Sequence, residues 1–215
     1  ARTDTESVRD EKVKVLKSIP EIDQKDVVRG QFRGYRDETG VAKDSSTETF
    51  AALKLNIQSW RWKDVPFYIR AGKYLPVTCT EIVARFRKPP TLMTNRELKE
   101  NHVRFRISPD VAIAMGMMSL APGDTLGIEP TEMLASSAPH AGEMEAYERL
   151  IGAAMEGDGT LFAREDYVEE AWRIVDPVLK VDTPLYEYEP KTWGPREVDH
   201  VTPDGGWHNP LAPKP

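Results

Sequence analysis

Val65-Pro66-Phe67-Tyr68-Ile69-Arg70-Ala71-Gly72-Lys73 is the stretch on which the reading of this chain turns. Val65, Phe67, Ile69 and Ala71 alternate with other residues, which predicts a strand with one buried face. Gly72 is expected to end the strand by taking a backbone geometry that other residues avoid. Lys73 follows at once. It is a flexible ammonium whose origin is fixed by the end of a sheet, a suitable place to hold an anion. Taken alone, the same pattern also describes a solvated lysine after a strand.

Outward from this stretch, strand signals repeat. Residues 27–35 read as a strand. Over 49–58, Leu53, Leu55 and Ile57 alternate with Lys54, Asn56 and Gln58, the mark of a half-solvated strand. Trp60 and Trp62 are expected on one shared face, as core or interface aromatics. Further strands are expected over 81–87, 103–107, 111–118 and 125–135, with Lys88-Pro89-Pro90 and Pro122-Gly123-Asp124 as breaks.

Helical periodicity marks three segments. Ser7-Val8-Arg9-Asp10 resembles a capping box opening a helix to about Ser18. Lys12, Lys14 and Lys17 read as its solvated face, offset by Asp10 and Glu11. Residues 143–155 carry Met144, Tyr147, Leu150, Ile151 and Ala154 on one side. Residues 164–179 carry Val168, Ala171, Trp172 and Val175. Strands followed by helices predict an α+β fold: a large, mainly antiparallel sheet with helices covering one face. Residues 1–215 are read as one domain, with a proline-rich tail from about 184 lying extended and pinned by Trp193 and Trp207.

The 215 residues are 40% hydrophobic and 30% charged, with a net charge of −6. An acidic chain argues against general nucleic-acid binding. No apolar run reaches the roughly 20 residues that span a bilayer. The single cysteine, Cys79, excludes an internal disulfide and suits a reducing cytosol, so a cytoplasmic location is expected. Nothing beside it marks it for activation. Glu197, Asp199, His200 and His208 match no compact metal-ligand spacing, so no metal is expected.

Several motifs are collinear with the opening stretch. They are Val8-Arg9-Asp10-Glu11-Lys12-Val13-Lys14-Val15-Leu16-Lys17, Val27-Val28-Arg29-Gly30-Gln31-Phe32 and Ser46-Thr47-Glu48-Thr49-Phe50-Ala51-Ala52-Leu53. Later come Ala146-Tyr147-Glu148-Arg149-Leu150-Ile151 and Glu170-Ala171-Trp172-Arg173-Ile174. In this order and spacing they closely resemble the C-terminal domain of glucose-6-phosphate dehydrogenase, from about Val8 to Asn209. The chain has no Gly-x-Gly-x-x-Gly run. None of His102, His140, His200 and His208 stands in the Asp-His-Tyr or Gln-Asn-His settings that the family uses for substrate binding and its general base. The resemblance therefore implies a fragment without the N-terminal coenzyme-binding domain, inactive by itself and carrying no catalytic residue.

The resemblance implies the rest of the function. The full-length enzyme would oxidise glucose 6-phosphate to 6-phosphogluconolactone with NADP, the first step of the pentose phosphate pathway. NADP would be bound mainly by the N-terminal domain. Lys73 matches the family lysine that contacts the sugar phosphate. Thr78 and Ser108 stand at two further substrate-facing positions, where the family commonly has a basic residue and its vertebrate branch a glutamine. Arg70, Arg106 and Trp207 match residues that hold a second, structural coenzyme in some members. Cys79 and Val83 replace basic residues of that site, which implies its absence, with Arg70 and Arg106 paired to acids instead. The sheet would make a homodimer, or a tetramer of dimers. Two other readings stand beside this one: a non-catalytic assembly module, or a dehydrogenase of another sugar phosphate.

Overall fold

The computed structural model describes residues 5–88, 98–121, 123, 127–137, 146–181 and 183–211. The fold is α+β with mainly antiparallel strands, as expected. The strands divide between two four-stranded sheets. They lie in two compact units: residues 1–76 with 144–207, and residues 77–143 with 208–215. Among the described residues no helix is long and apolar enough to cross a membrane.

The first unit contains β1 (Val27–Phe32), β2 (Phe50–Asn56) and β3 (Pro66–Gly72). A fourth strand of its sheet comes from the tail, at Leu185–Tyr188. The sheet order is β3-β2-β1 and then this tail strand, which pairs parallel to β1 while the other pairs are antiparallel. The tail is thus part of the sheet, and Tyr188 is buried. Prolines at 184 and 190 flank the strand and leave its own donors intact.

Both faces of this sheet are covered. Leu16 of helix α1 (Thr5–Lys17), Ile19 just after it, and Ile174 and Val175 of a later helix at Glu165–Leu179 pack against Leu55, Ile57 and Phe67. The opposite face is the deeper one. Val28, Phe32, Phe50, Ala52 and Tyr188 form its core, with Val198, Val201 and Trp207 of the tail laid over them. The alternation at Val65–Ala71 and Leu53–Ile57 pointed to the other face. That face is only partly covered: Ile69 remains 48% exposed at the sheet edge. The deep face was hidden in the sequence because its members include a glycine, an alanine and an arginine.

Four other expectations shift. Ser7 lies inside α1 and does not cap it. Trp60 and Trp62 share a 3-10 turn, not a strand face. Trp60 is 98% exposed, whereas Trp62 packs edge-on to Phe67 with centroids 5.2 Å apart. The stripe of the Glu165–Leu179 helix is rotated toward Ile174 and Val178, leaving Trp172 exposed. The helix at Ala146–Glu156, α2, buries none of its residues, and Tyr147 and Ile151 face outward. Met144 of its expected apolar face lies outside the described residues.

With α2 placed, the Glu165–Leu179 helix is α3. Polar contacts join it to α1. Arg164, just before α3, contacts Glu6 and Asp10 of α1 at 2.7 Å each and Asp166 at 2.8 Å. Arg173 donates to the carbonyls of Leu16, in the last turn of α1, and of Ile19, two residues beyond it.

The second unit holds β4 (Thr80–Arg85), β5 (His102–Ser108), β6 (Val111–Leu120) and β7 (Ile128–Ser137). They form one antiparallel meander in chain order. The tail strand in the first unit is β8. Register places Ile82, Phe105 and Ile113 abreast on one face, with Val103, Met115 and Met133 beside them. The other face carries Glu81, Arg104, Arg106, His102 and Glu132 among Ala112, Ala114 and Gly116. Pro122 and Asp124 of the expected turn lie outside the described residues, as do Pro89 and Pro90.

Two glycines test the first unit's core. Gly194 has φ 111°, and a Cβ there would run into the Phe50 ring. Gly206 has φ 84° and open space around it. Gly206→Ala should cost about 1–2 kcal/mol from backbone strain alone. Gly194→Ala should cost roughly 1–3 kcal/mol more from overpacking. Denaturant melts of the two variants measure the difference, and equal losses would refute the close fit over Phe50.

Candidate functional site

Lys73 sits one residue beyond β3, on a backbone held from both sides. Its N–H donates to the Thr49 carbonyl at 2.8 Å, extending the β2–β3 ladder past Gly72. Its carbonyl accepts from the Tyr188 hydroxyl at 2.8 Å. The Lys73 side chain is exposed. The next residue, Tyr74, takes the left-handed conformation at φ 50°, and its carbonyl accepts from Lys191 N–H at 2.6 Å.

The need for glycine before this lysine is one of space. Gly72 belongs to the strand and does not have a positive φ. A Cβ there would lie 2.9 Å from Cδ2 of Phe50 and 3.3 Å from Cδ2 of Leu75. The sequence reading assigned Gly72 the special backbone geometry, but the structure puts that geometry at Tyr74.

Thr78 and Ser108 lie in the second unit, whereas Lys73 lies in the first. Both are exposed. Ser108 ends β5 directly opposite Thr80, two residues after Thr78. Cys79 lies between them in sequence and is partly buried. Burial, and then the Glu81 carboxylate, push its thiol above the usual range, which keeps it protonated and unreactive.

Arg70 points from β3 into the tail of the same unit. Its guanidinium lies 4.6 Å from the Trp193 ring centre and 4.8 Å from that of Trp207. Tyr68 meets Trp207 edge-on at 6.1 Å. Burial pulls the Arg70 pKa down to about 10, so it stays charged at neutral pH. The tryptophans do pin the tail, as the sequence suggested. That they close on Arg70 was not foreseen, because the pairing joins residues far apart in the chain.

Arg106 does pair with acids. Its Nε donates to Glu81 Oε2 at 3.0 Å, and Arg104 reaches the same oxygen at 3.1 Å. Asp110 lies 3.6 Å from Arg106, and Arg106 also donates to the Leu211 carbonyl at 3.0 Å. His208 Nε2 lies 2.8 Å from Glu81 Oε1. The Glu81 side chain is only 3% exposed. Burial drives its pKa up, but the bonds from Arg104 and Arg106 outweigh this and hold it below the usual value. Burial also pulls the His208 pKa down, by more than Glu81 raises it. The ring is therefore neutral near pH 7. Among the described residues no group of three His, Cys, Asp or Glu side chains could hold a metal ion.

The family described as "Glucose-6-phosphate dehydrogenase, C-terminal domain" matches residues 1–208. The chain belongs to this family. The glucose-6-phosphate 1-dehydrogenase of Aggregatibacter actinomycetemcomitans is 40% identical over 225 residues, covering 95% of this chain and 46% of that protein. Glucose-6-phosphate 1-dehydrogenase 1 of Mycobacterium tuberculosis (strain ATCC 25618 / H37Rv) is 36% identical over 214 residues, covering 97% of this chain and 45% of that protein. The crystal structure of glucose-6-phosphate 1-dehydrogenase from Mycobacterium avium superposes with a TM-score of 0.89 at 36% identity, covering 100% of this chain and 47% of that one. A glucose-6-phosphate dehydrogenase in complex with its substrate glucose-6-phosphate gives a TM-score of 0.80 at 32% identity, covering 98% of this chain and 47% of that one. The chain thus spans about half the length of these relatives, 46% in the first case.

The Glu81 cluster sets a pH dependence in this glucose-6-phosphate dehydrogenase domain. Glu81 and His208 both have folded pKa values below their ordinary ones. Each therefore stabilises the fold above its ordinary pKa and loses that contribution as pH falls through its depressed value. The cluster's contribution should be flat from pH 7 to 8 and fall on acidification, His208 first and Glu81 at lower pH. Glu81→Ala should cost about 1.5–3 kcal/mol, because it removes the carboxylate shared by Arg104 and Arg106 and leaves them only Glu132, Asp110 and the Leu211 carbonyl. Urea melts across pH 4–8 check both, and a Glu81→Ala loss below 1 kcal/mol would refute the cluster's role.

Proposed function

We propose that this chain is the substrate-binding half of an NADP-dependent glucose-6-phosphate dehydrogenase. Its partner half would hold the coenzyme and the general base. The observation that carries this reading is Lys73: an exposed ammonium on a clamped backbone, in the motif that the family uses against the sugar phosphate. Its role is binding and orientation. Hydride would pass from C1 of glucose 6-phosphate to NADP, leaving the lactone. This chain alone would have no dehydrogenase activity.

Thr78 and Ser108 are proposed as further substrate contacts, each offering a hydroxyl group. A hydroxyl supplies a hydrogen bond but no positive charge. That feature keeps a second reading open, in which the enzyme oxidises another sugar phosphate. A second, structural coenzyme is not part of the proposal. Arg106 is already engaged by Glu81, Asp110 and Leu211, and Arg70 is closed between two indoles.

Self-association through the second sheet completes the proposal. Ile82, Phe105, Ile113 and Met133 form an exposed apolar face, with Ile113 at 51% exposure. Contiguous apolar surface of this kind marks an interaction site. A two-fold contact between copies would bury it, giving a dimer or a tetramer of dimers. The net charge of −6 argues against general nucleic-acid binding, and a cytoplasmic place fits the same reading.

Kinetics of the full-length enzyme test the substrate contact. Losing a charged hydrogen bond of roughly 1.5–3 kcal/mol should raise KM for the sugar phosphate about 10- to 150-fold in Lys73→Ala, with kcat little changed. Thr78→Arg should lower KM for the preferred sugar phosphate. Unchanged kinetics in Lys73→Ala would leave that lysine a solvated strand end and remove the reading. For assembly, sedimentation of Ile113→Asp should show a smaller species than the parent at equal concentration. A parent that stays monomeric into the micromolar range would refute the interface.

A further inference from the structure

Tyr188 is the other end of the clamp on Lys73, and nothing in the role assigned to the lysine includes it. It ends β8, the parallel strand beside β1, where it pairs with Phe32. Its ring is 3% exposed and packs on Phe50 with centroids 5.5 Å apart. Gly30 lets it approach: a Cβ there would sit 3.2 Å from the Tyr188 ring. A tyrosine so enclosed has its hydroxyl fixed in place.

That hydroxyl is the third link of a chain of hydrogen bonds. Phe32 N–H donates to Thr49 Oγ1 at 2.9 Å. Thr49 Oγ1 lies 3.1 Å from the Tyr188 hydroxyl. Tyr188 lies 2.8 Å from the Lys73 carbonyl and donates to it. Thr49 already accepts from Phe32, so its proton is free for Tyr188, whose own proton lies between the Lys73 carbonyl at 2.8 Å and the more distant Thr49 carbonyl at 3.2 Å. Each bond polarises the next in a dry core, which strengthens the run. Burial raises the Tyr188 pKa, so the phenol keeps its proton. Thr49 closes the loop from the other side, its carbonyl accepting the Lys73 N–H at 2.8 Å.

We propose that Tyr188 is a positioning residue for Lys73: its hydroxyl, fed by Thr49, sets the Lys73 peptide so that the exposed ammonium is presented to the anionic group of the substrate. The proposal rests on the reading of Lys73 as the sugar-phosphate contact. It follows from how a lysine side chain works. Four rotatable bonds leave the ammonium mobile, so only its origin can be preset, and the origin is the peptide that Tyr188 and Thr49 hold. The hydroxyl also has a role separate from the ring, because the ring alone fills the core against Phe50.

The test is a double-mutant cycle in the full-length enzyme, with Tyr188→Phe, Lys73→Ala and the pair. Tyr188→Phe keeps the ring. It should raise KM for the sugar phosphate about three- to tenfold, leaving kcat and the coenzyme KM within about twofold. In the Lys73→Ala background the same change should add less than about 1.5-fold, because the ammonium it positions is gone. Thr49→Val, which removes the hydroxyl that feeds Tyr188, should shift KM in the same direction and decides the matter if Tyr188→Phe fails to fold. A wild-type KM in Tyr188→Phe overturns this proposal alone. So does an equal rise in both backgrounds, the mark of a merely structural role. Wild-type kinetics in Lys73→Ala overturn the substrate reading itself, and the positioning role with it.

Discussion

The parallel pairing of β8 with β1 is the constraint on which the first unit depends. Parallel neighbours cannot be joined by a tight turn. Here the chain passes through a second sheet and two helices before Leu185 reaches Arg29. Once in place, β8 does two things. It sets Tyr188 against Phe32 and Phe50, and it starts the segment that lays Trp193, Val198, Val201 and Trp207 over the deep face. Phe50 is the contact shared by both. It fills the space left by Gly72 and Gly194, and either position would collide with it if a methyl were added.

Arginine is buried in two different ways in this chain, and the energetics explain the difference. Arg106 and Arg104 converge on one carboxylate that is almost wholly enclosed. Burying a lone carboxylate costs several kcal/mol, and the two guanidinium groups on Glu81 offset that cost. Arg70 uses ring faces. Its guanidinium is weakly hydrated and planar, which suits stacking between indoles at a cost in desolvation that an ammonium would not tolerate. The first arrangement fixes the chain at 208–211 in the second unit through His208 and Leu211. The second fixes the tail of the first unit through Trp193 and Trp207. Neighbouring parts of one tail are thus held by separate electrostatic devices.

The fold class was legible because it rests on local periodicity. Strands over 103–107 and 111–118 and helices over 143–155 and 164–179 all appear within a few residues of their expected bounds. What the periodicity could not show was which face of the first sheet is deep. Leu53, Leu55 and Ile57 are louder in sequence than Phe50, Ala52 and Gly72. The deep face is made by small residues that admit the tail, and a tail is invisible to a window of ten residues. The division into two sheets was hidden for a related reason: strand signals give no pairing partner. Lys73 was legible only through its motif and the resemblance that motif carries. Tyr188 was not, since a tyrosine in a short strand carries no local mark. Its partner lies 115 residues away.

The Arg-Ala-Gly-Lys signature is therefore a statement about packing as much as about charge. Arginine needs two indoles, glycine needs the Phe50 ring, and the lysine backbone needs the Tyr188 hydroxyl and the Thr49 carbonyl. Arg70 and Gly72 look inward to the deep face, whereas Ala71 lies on the opposite face of the strand and the lysine side chain is exposed. A mobile ammonium loses about 2 kcal/mol of rotamer freedom if it must be fully ordered on binding. Presetting its peptide leaves that side-chain cost but removes the backbone's share, roughly 1–2 kcal/mol for one residue. Under the role proposed for Lys73, the core beneath it would bear on affinity without touching the ligand. It also explains why the motif ends at the boundary of the strand: one residue earlier the side chain would face Phe50, and one residue later the backbone turns left-handed at Tyr74.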